Sequence, residues 1–579
     1  MPRFLFAFFA FLAATNFIVT AAEITRVLPP TGIKISAADR AELEKQLVDL
    51  QGALDNFIAG ASINPPQQEL LPDVAVYAKA VRFALTNGEF YDPKDIAKAK
   101  SVLKSANDRL QQLKNNKAAW PTTPGPQVRA YRSRIDDSLQ PYGIELPEKF
   151  DPSKPYHLVV WLRGRSDKGT DMHFIAEREK KKGEFQFPNV IILHPFGRHC
   201  NAYKFAGEVD VFEAIEDVQR RYKTQGKPVI MGFSMGGAGC WHLAAHYPDY
   251  WQAASPGAGF VDVKRYQGLS GDKLPEWYVQ ELWDWYDVPP YTKQLAKLPL
   301  YSYSGELDKQ KASADIMEEE YKKVGEKLKR IIGKDMPHKY DKPSVAEITK
   351  WVQGEMKKTS TPIKYTGPHY QSNKPGQTET GPIDQAFCDK FIFVAPSGKS
   401  SNPKVNAWVE QEMQHQLRRW RELMRGEIRV VKDTELTPKD YRNCNLVLWG
   451  DAQSNAVIRD HGQKLPIPWS QEGFKVGEKT YSSDQVLVAV YPKRKIWRGE
   501  WPGVVVLNSG LTFREGHDKT NSQQTPKLPD WAVIDITTPP SDTAPGKIVN
   551  AGIFDKDWKF VDPVLQKKAM SYQKPRIGH

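Results

Sequence analysis

The chain has 579 residues, 40% of them hydrophobic and 11% aromatic, which is enough apolar material for real cores and excludes a disordered polymer. Its length suggests about two to four domains. The formal charge is +12, a balance that can draw polyanions, but Lys and Arg are scattered among acids as on a solvated surface. No zinc-finger, RNA-recognition or helix-turn-helix pattern is present, so no nucleic-acid partner is expected.

At the N-terminus Arg3 precedes an apolar run from Phe4 to Val19, followed by the small residues Ala21 and Ala22. A charged start, a short apolar middle and a small-residue end read as a signal peptide over residues 1–22, with a cleavage site at Val19-Thr20-Ala21. The run is short for a membrane span and is interrupted by Thr15 and Asn16. A secreted or periplasmic protein is therefore expected, with no membrane association after cleavage. The four cysteines, Cys200, Cys240, Cys388 and Cys444, are widely spaced; they imply neither a zinc site nor a disulfide framework, and no metal site is expected.

Residues 36–118 read as a small helical domain. Leu43, Leu47, Leu50, Leu54 and Phe57 recur at helical spacing, a second segment opens at Pro72 and stops at Asn87-Gly88, and a third opens at Asp92-Pro93. A Pro- and Gly-rich linker, Trp120 to Pro126, follows. Over residues 126–357 the texture changes to short apolar strands alternating with helices. Val128–Ile135 and Gln140–Leu146 read as an antiparallel pair. Tyr156–Leu162, Val190–Leu193, Pro228–Phe233, Trp251–Ser255 and Leu300–Ser304 read as buried strands, and Ala312–Arg330 as a helix before a short strand at Ile331-Ile332. This pattern predicts an α/β fold with a mostly parallel sheet covered on both faces. A second linker runs from Lys358 to Gly381, and residues 382–579 read as a smaller α/β domain carrying no legible chemistry.

Gly232-Phe233-Ser234-Met235-Gly236 has the form G-x-S-x-G. About 0.2 chance matches are expected in a chain of this length, but here a strand leads in and a Gly-rich helix leads out, as in a nucleophile elbow. The elbow places Ser234 at a helix N-terminus, where partial positive charge favours a developing oxyanion. Serine needs a base, and in a strand-turn-helix elbow of this kind the acid and then the histidine follow in the chain. The strand Leu300–Ser304 ends at Gly305-Glu306-Leu307-Asp308, which puts Asp308 at the sheet's carboxyl edge, with Glu306 and Asp262 as competitors. One strand-helix-strand passage later, Lys334-Asp335-Met336-Pro337-His338 offers the base. His242 and His246 fall on the helix after the elbow, whereas His194 and His199 follow a strand and are candidates for the cleft. Ser234, Asp308 and His338 are thus the expected catalytic set. An oxyanion hole would use the N–H of Met235 and a second N–H from Arg163-Gly164-Arg165-Ser166, with Arg165 first and Gly164 next. The aromatic stretch between Asp262 and Leu298 offers Trp277, Trp283 and Trp285 as substrate-binding residues; an ordinary packed excursion is an equal alternative.

Leu162-Arg163-Gly164-Arg165, His194-Pro195-Phe196-Gly197, Gly232 to Gly237, Ser304 to Asp308 and His338 together resemble the catalytic domain of prolyl-oligopeptidase-type (S9) serine peptidases and related esterases, over roughly Val128–Val352. The resemblance implies an α/β-hydrolase fold, no cofactor, and Ser234, Asp308 and His338 as the triad. Two departures stand out: Arg163 occupies a position where the family usually has His, and a short helical domain replaces the peptidases' N-terminal β-propeller. Both favour an esterase over a prolyl peptidase, and the site style suits feruloyl or acetylxylan esters. The expected function is an exported serine hydrolase acting on a small-molecule ester, a polysaccharide ester or a peptide. The competing expectation is a catalytically idle α/β-hydrolase-like module that binds carbohydrate or a cell surface.

Overall fold

The computed structural model describes residues 24–60, 63–367, 381–497 and 501–570. The expected signal peptide and most of the second linker lie outside the described residues.

Four helices, α1 (Ala37–Ala59), α2 (Pro65–Leu70), α3 (Pro72–Asn87) and α4 (Lys94–Lys114), open the chain. Ser36 caps α1 by accepting the Asp39 N–H at 3.0 Å. Pro72 begins α3, and Gly88, in left-handed backbone at φ 64°, ends it. Their apolar stripes share a core with Val128, Ala130, Met172 and Ile175 of the next unit, so the helices are packed onto that unit.

The second unit is an eight-stranded sheet. In chain order its strands are β1 (Gly125–Arg132), β2 (Leu139–Leu146), β3 (His157–Leu162), β4 (Val190–Pro195), β5 (Val229–Phe233), β6 (Ala253–Gly257), β7 (Ser302–Gly305) and β8 (Arg330–Gly333). In space they run β1-β2-β4-β3-β5-β6-β7-β8. β1 and β2 are antiparallel, β2 also opposes β4, and the rest pair in parallel. Crossover helices α5 (Asp171–Arg178), α6 (Ala206–Arg221) and α7 (Met235–His246) alternate with the strands, and α8 (Trp277–Glu281), α9 (Thr292–Leu295), α10 (Lys311–Lys323) and α11 (Lys342–Met356) follow. Apolar residues of α6 and α7 join one core with the sheet, while Ile348, Val352 and Met356 of α11 join a second with Val159, Val229 and Met231. Burial on both faces explains the nearly continuous apolar strands. This is the mainly parallel, doubly covered sheet of an α/β-hydrolase.

One expected helix is shorter. Ala312–Arg330 was to be continuous, but α10 stops at Lys323 and Gly325 adopts φ 78°. Left-handed glycine ends the helix there, and residues 326–329 form an irregular link into β8.

The C-terminal unit is a seven-stranded sheet with a long helix, α12 (Pro403–Leu423). Its strands are β9 (Phe391–Ala395), β10 (Val430–Lys432), β11 (Asn445–Leu448), β15 (Gln485–Pro492), β16 (Val504–Leu507), β17 (Trp531–Asp535) and β18 (Lys547–Gly552), while β12 (Trp469–Ser470), β13 (Gly473–Val476) and β14 (Lys479–Thr480) form a small separate sheet. β17 and β18 escaped the sequence reading. The core is continuous between the hydrolase and C-terminal units; for example, Phe205 stacks on Phe513 at 4.9 Å. All four cysteines are buried, and none is in a disulfide. Among the described residues no helix is long and apolar enough to cross a membrane.

Candidate active site

Ser234 joins β5 directly to α7 and takes φ 60°, ψ −120°, a conformation that costs a non-glycine residue about 1–3 kcal/mol. The turn is held by hydrogen bonds from the Ser234 N–H to the Gly257 carbonyl at 2.9 Å and from the Ala238 N–H to the Ser234 carbonyl at 3.0 Å. Its glycines are sterically required: a Cβ at Gly232 would stand 2.2 Å from the Gly236 carbonyl oxygen, and one at Gly236 only 1.9 Å from that of Leu162. The small residues in G-x-S-x-G thus let the helix descend onto β3 and β5 while the serine is presented at the sheet's carboxyl edge.

β7 and β8 deliver the other two groups to the same edge. Asp308 follows β7, with its side chain 3% exposed, and His338 follows β8, 39% exposed. The His338 Nδ1 and Asp308 Oδ2 are 2.7 Å apart, and the other carboxylate oxygen accepts the Gln310 N–H at 2.9 Å. The imidazole lies on the ring of Phe233, the residue before Ser234 in the chain, 4.8 Å between centroids. Nδ1 is engaged by Asp308, which leaves Nε2 as the other ring nitrogen.

The competing acids are engaged elsewhere. Asp262 holds Arg265 at 2.5 Å, and Glu306 accepts the Asp335 N–H at 2.9 Å. The other candidate histidines are tied down: His194 to Glu145 at 2.8 Å, His199 to the Asp167 carbonyl at 3.0 Å and His242 to the Ala202 carbonyl at 3.0 Å. Burial drives the affinity of His194 and His199 for a proton down.

The loop after β3 runs beside the serine, since a Cβ at Gly164 would lie 3.5 Å from the Ser234 Cβ. Met235, the first residue of α7, offers an N–H at the helix N-terminus. Arg163 folds back over Phe174 and Phe196, at 5.6 and 5.3 Å, and Tyr203 donates to its carbonyl at 3.2 Å. Arg165 points the other way, pairing with Asp167 at 2.6 Å.

The tryptophans occupy other surroundings than a cleft wall. Trp283 is buried at 5% exposure. Trp277 and Trp285 are half-buried and pack against the core, and Trp285 lies 3.0 Å from where a Gly381 Cβ would be. All three are packing residues, and Trp285 packs at the start of the C-terminal unit. The same excursion instead sends Tyr266 to the site. Burial and then the Asp308 charge raise its phenol pKa, while Arg165 opposes the rise, so the phenol is within electrostatic range of both groups. It is 36% exposed and rests on Phe260 at 5.2 Å. A lone Tyr in a loop gave no sequence signal for this position.

Residues 140–324 match the family model described as "Putative esterase". The match covers part of the chain; with the fold and the elbow, it makes residues 140–324 similar to esterases with the α/β-hydrolase fold. No curated protein matches the chain. Among solved structures, a thermostable esterase shares 17% identity over 40% of this chain and 62% of its own, with a TM-score of 0.30. The acylaminoacyl peptidase of Pyrococcus horikoshii shares 13% over 41% of this chain and 43% of its own, TM-score 0.32. The S-formylglutathione hydrolase of Staphylococcus aureus shares 17% over 40% of this chain and 98% of its own, TM-score 0.30. The chain thus spans less than two thirds of the first two proteins' length. At these TM-scores the likenesses carry no weight for the chemistry, which rests on the family match and the site geometry.

Proposed function

We propose that the protein is an exported carboxylic ester hydrolase with Ser234 as nucleophile, His338 as general base and Asp308 as the group that orients it. In this reading His338 Nε2 takes the Ser234 proton as Oγ attacks the ester carbonyl carbon. Asp308 fixes the tautomer and stabilises the imidazolium. The N–H of Met235 and one from Arg165 or Gly164 receive the negative oxygen of the tetrahedral intermediate. Collapse of the intermediate expels the alcohol, which takes the proton from His338, and water then attacks the acyl-enzyme by the same route to release the acid. The substrate class is a small-molecule or polysaccharide ester, acetyl or feruloyl, with Tyr266 as an aromatic contact at the rim; a peptide bond is the alternative. Export to the periplasm or medium rests on the apolar N-terminal run, Phe4 to Val19.

The observation that carries the reading is the 2.7 Å contact between His338 Nδ1 and Asp308 Oδ2, with the imidazole on the ring of Phe233 and the next residue, Ser234, held at φ 60°. A binding module has no need of either. The test is labelling with a fluorophosphonate, with parent and Ser234→Ala compared, followed by turnover on acetyl, feruloyl and prolyl-amide substrates. Labelling of the parent that vanishes in the variant supports the enzyme. Equal labelling of both, or none, supports the idle module.

A further inference from the structure

Between β16 and β17 the C-terminal unit sends a loop into the rim around Ser234. Three loops of the hydrolase unit leave the sheet's carboxyl edge there: residues 163–170 after β3, 196–205 after β4 and 258–298 after β6. All three are hydrogen-bonded to the single stretch Asp518–Gln524. From the first loop, Arg165 Nη2 donates to the Asp518 carbonyl at 3.0 Å, with Nη1 at a longer 3.5 Å from Asn521 Oδ1. In the second, the Cys200 carbonyl accepts from Asn521 Nδ2 at 3.1 Å, and Lys204 Nζ donates to the carbonyls of Asn521 and Gln524 at 3.3 and 3.4 Å. From the third, Gln267 donates to the Ser522 hydroxyl at 2.5 Å. Asn521 is 4% exposed and thus ties the first two loops together from inside.

The stretch is itself anchored in its own unit. Arg419 of α12 makes a two-pronged pair with the Asp518 carboxylate, at 2.8 and 3.1 Å, and Gln524 donates to the same carboxylate at 3.0 Å.

The second loop needs such a clamp. Arg198, His199, Ala202, Tyr203 and Phe205 all have positive φ, between 51° and 76°, a state that non-glycine residues hold only where the surroundings over-determine it. His199 then passes that geometry to the first loop through its 3.0 Å contact with the Asp167 carbonyl. The first loop runs beside Ser234, where a Gly164 Cβ would lie 3.5 Å from the Ser234 Cβ, and an oxyanion donor on such a loop must be held within a fraction of an ångström.

We infer that Asp518–Gln524, with Asn521 at its centre, is a positioning element for the oxyanion side of the active site, so that the C-terminal unit completes the hydrolase site. This rests on the reading of Ser234 and the loop after β3 as catalytic. Asn521 is a positioning residue: it acts through Arg165 and the Cys200 carbonyl.

The test uses the full chain and the aryl ester p-nitrophenyl acetate, with parent, Asn521→Ala, Arg165→Ala and the double variant. The expected result is a fall in kcat of about 10- to 100-fold in each single variant with KM within about threefold, the signature of an interaction made in the transition state. The double variant should be no worse than about threefold below the poorer single, because both act on one loop. Parental kcat in the single variants, a rise in KM alone, or multiplicative losses in the double overturns the inference while the serine-hydrolase reading stands. A parent that neither turns over the ester nor takes a fluorophosphonate at Ser234 overturns both. Should Asn521→Ala fail to fold, the half-buried Arg165 decides alone: an unchanged melting temperature with kcat reduced and KM kept supports the inference, and parental kcat sinks it.

Discussion

Ser234 sits on backbone that no ordinary turn would supply, and the proposed partners differ from the other acids and histidines in what each already holds. Asp308 is free to serve His338 because its second oxygen is satisfied by the Gln310 N–H, whereas Glu306 is committed to Asp335. Asp308→Asn should leave the geometry in place and present the wrong tautomer of His338, lowering kcat about 10³- to 10⁴-fold with KM little changed. Glu306→Gln should keep kcat within about twofold. Steady-state kinetics on an aryl ester checks both, and comparable losses in the two variants would remove Asp308 from its assigned role.

At the scale of elements, the elbow depends on how closely α7 can approach β3. A methyl at Gly236 would meet the Leu162 carbonyl at 1.9 Å, and a strand carbonyl cannot swing aside. Gly236→Ala should therefore push α7 off the sheet, lowering the melting temperature by several degrees and abolishing fluorophosphonate labelling; parental labelling would show that the packing is looser than the geometry indicates.

A second element-scale effect sits where β17 begins. Burial pushes the Asp530 carboxyl up to about 8, opposed by the Phe554 N–H that donates to it at 2.7 Å. A carboxyl raised in the folded state lends stability below the unfolded pKa, near 3.8, and loses it as pH rises through the folded value. Asp530→Asn keeps an acceptor and cannot ionise. Its melting temperature should match the parent near pH 4 and exceed it increasingly up to pH 9. A constant difference across that range would dismiss Asp530 as the titrating group.

Across the whole molecule, Arg425 links the three units. It is fully buried and pairs with Glu89 of the helical unit at 2.7 Å and Asp171 of the hydrolase unit at 2.6 Å. Burial alone would raise the Asp171 carboxyl, but Arg425 and Lys79 overcome it and hold the group below the ordinary carboxylate range. Deleting one partner of a buried ionic cluster strands the others and costs about 3–5 kcal/mol. Arg425→Met should therefore lower the melting temperature and split unfolding into separate calorimetric steps; a single step at the parental temperature would mean that the units are coupled through their apolar contacts alone.

Local constraints made much of this protein readable in one dimension. Glycines around Ser234, Pro72 and Gly88 at the ends of α3, and runs of apolar residues in β3, β4 and β5 each act within a few residues of themselves, where sterics and burial leave a mark on composition. The order of Ser234, Asp308 and His338 was legible for the same reason, since each follows a strand that ends at one edge. Tertiary structure alone decided which side chains met from afar. It turned Trp277, Trp283 and Trp285 into packing, brought Tyr266 within electrostatic range of Asp308 and laid Asn521 across loops more than three hundred residues distant. Such contacts depend on the geometry of the assembled sheets, and a single residue's identity carries no trace of which carbonyl it will meet.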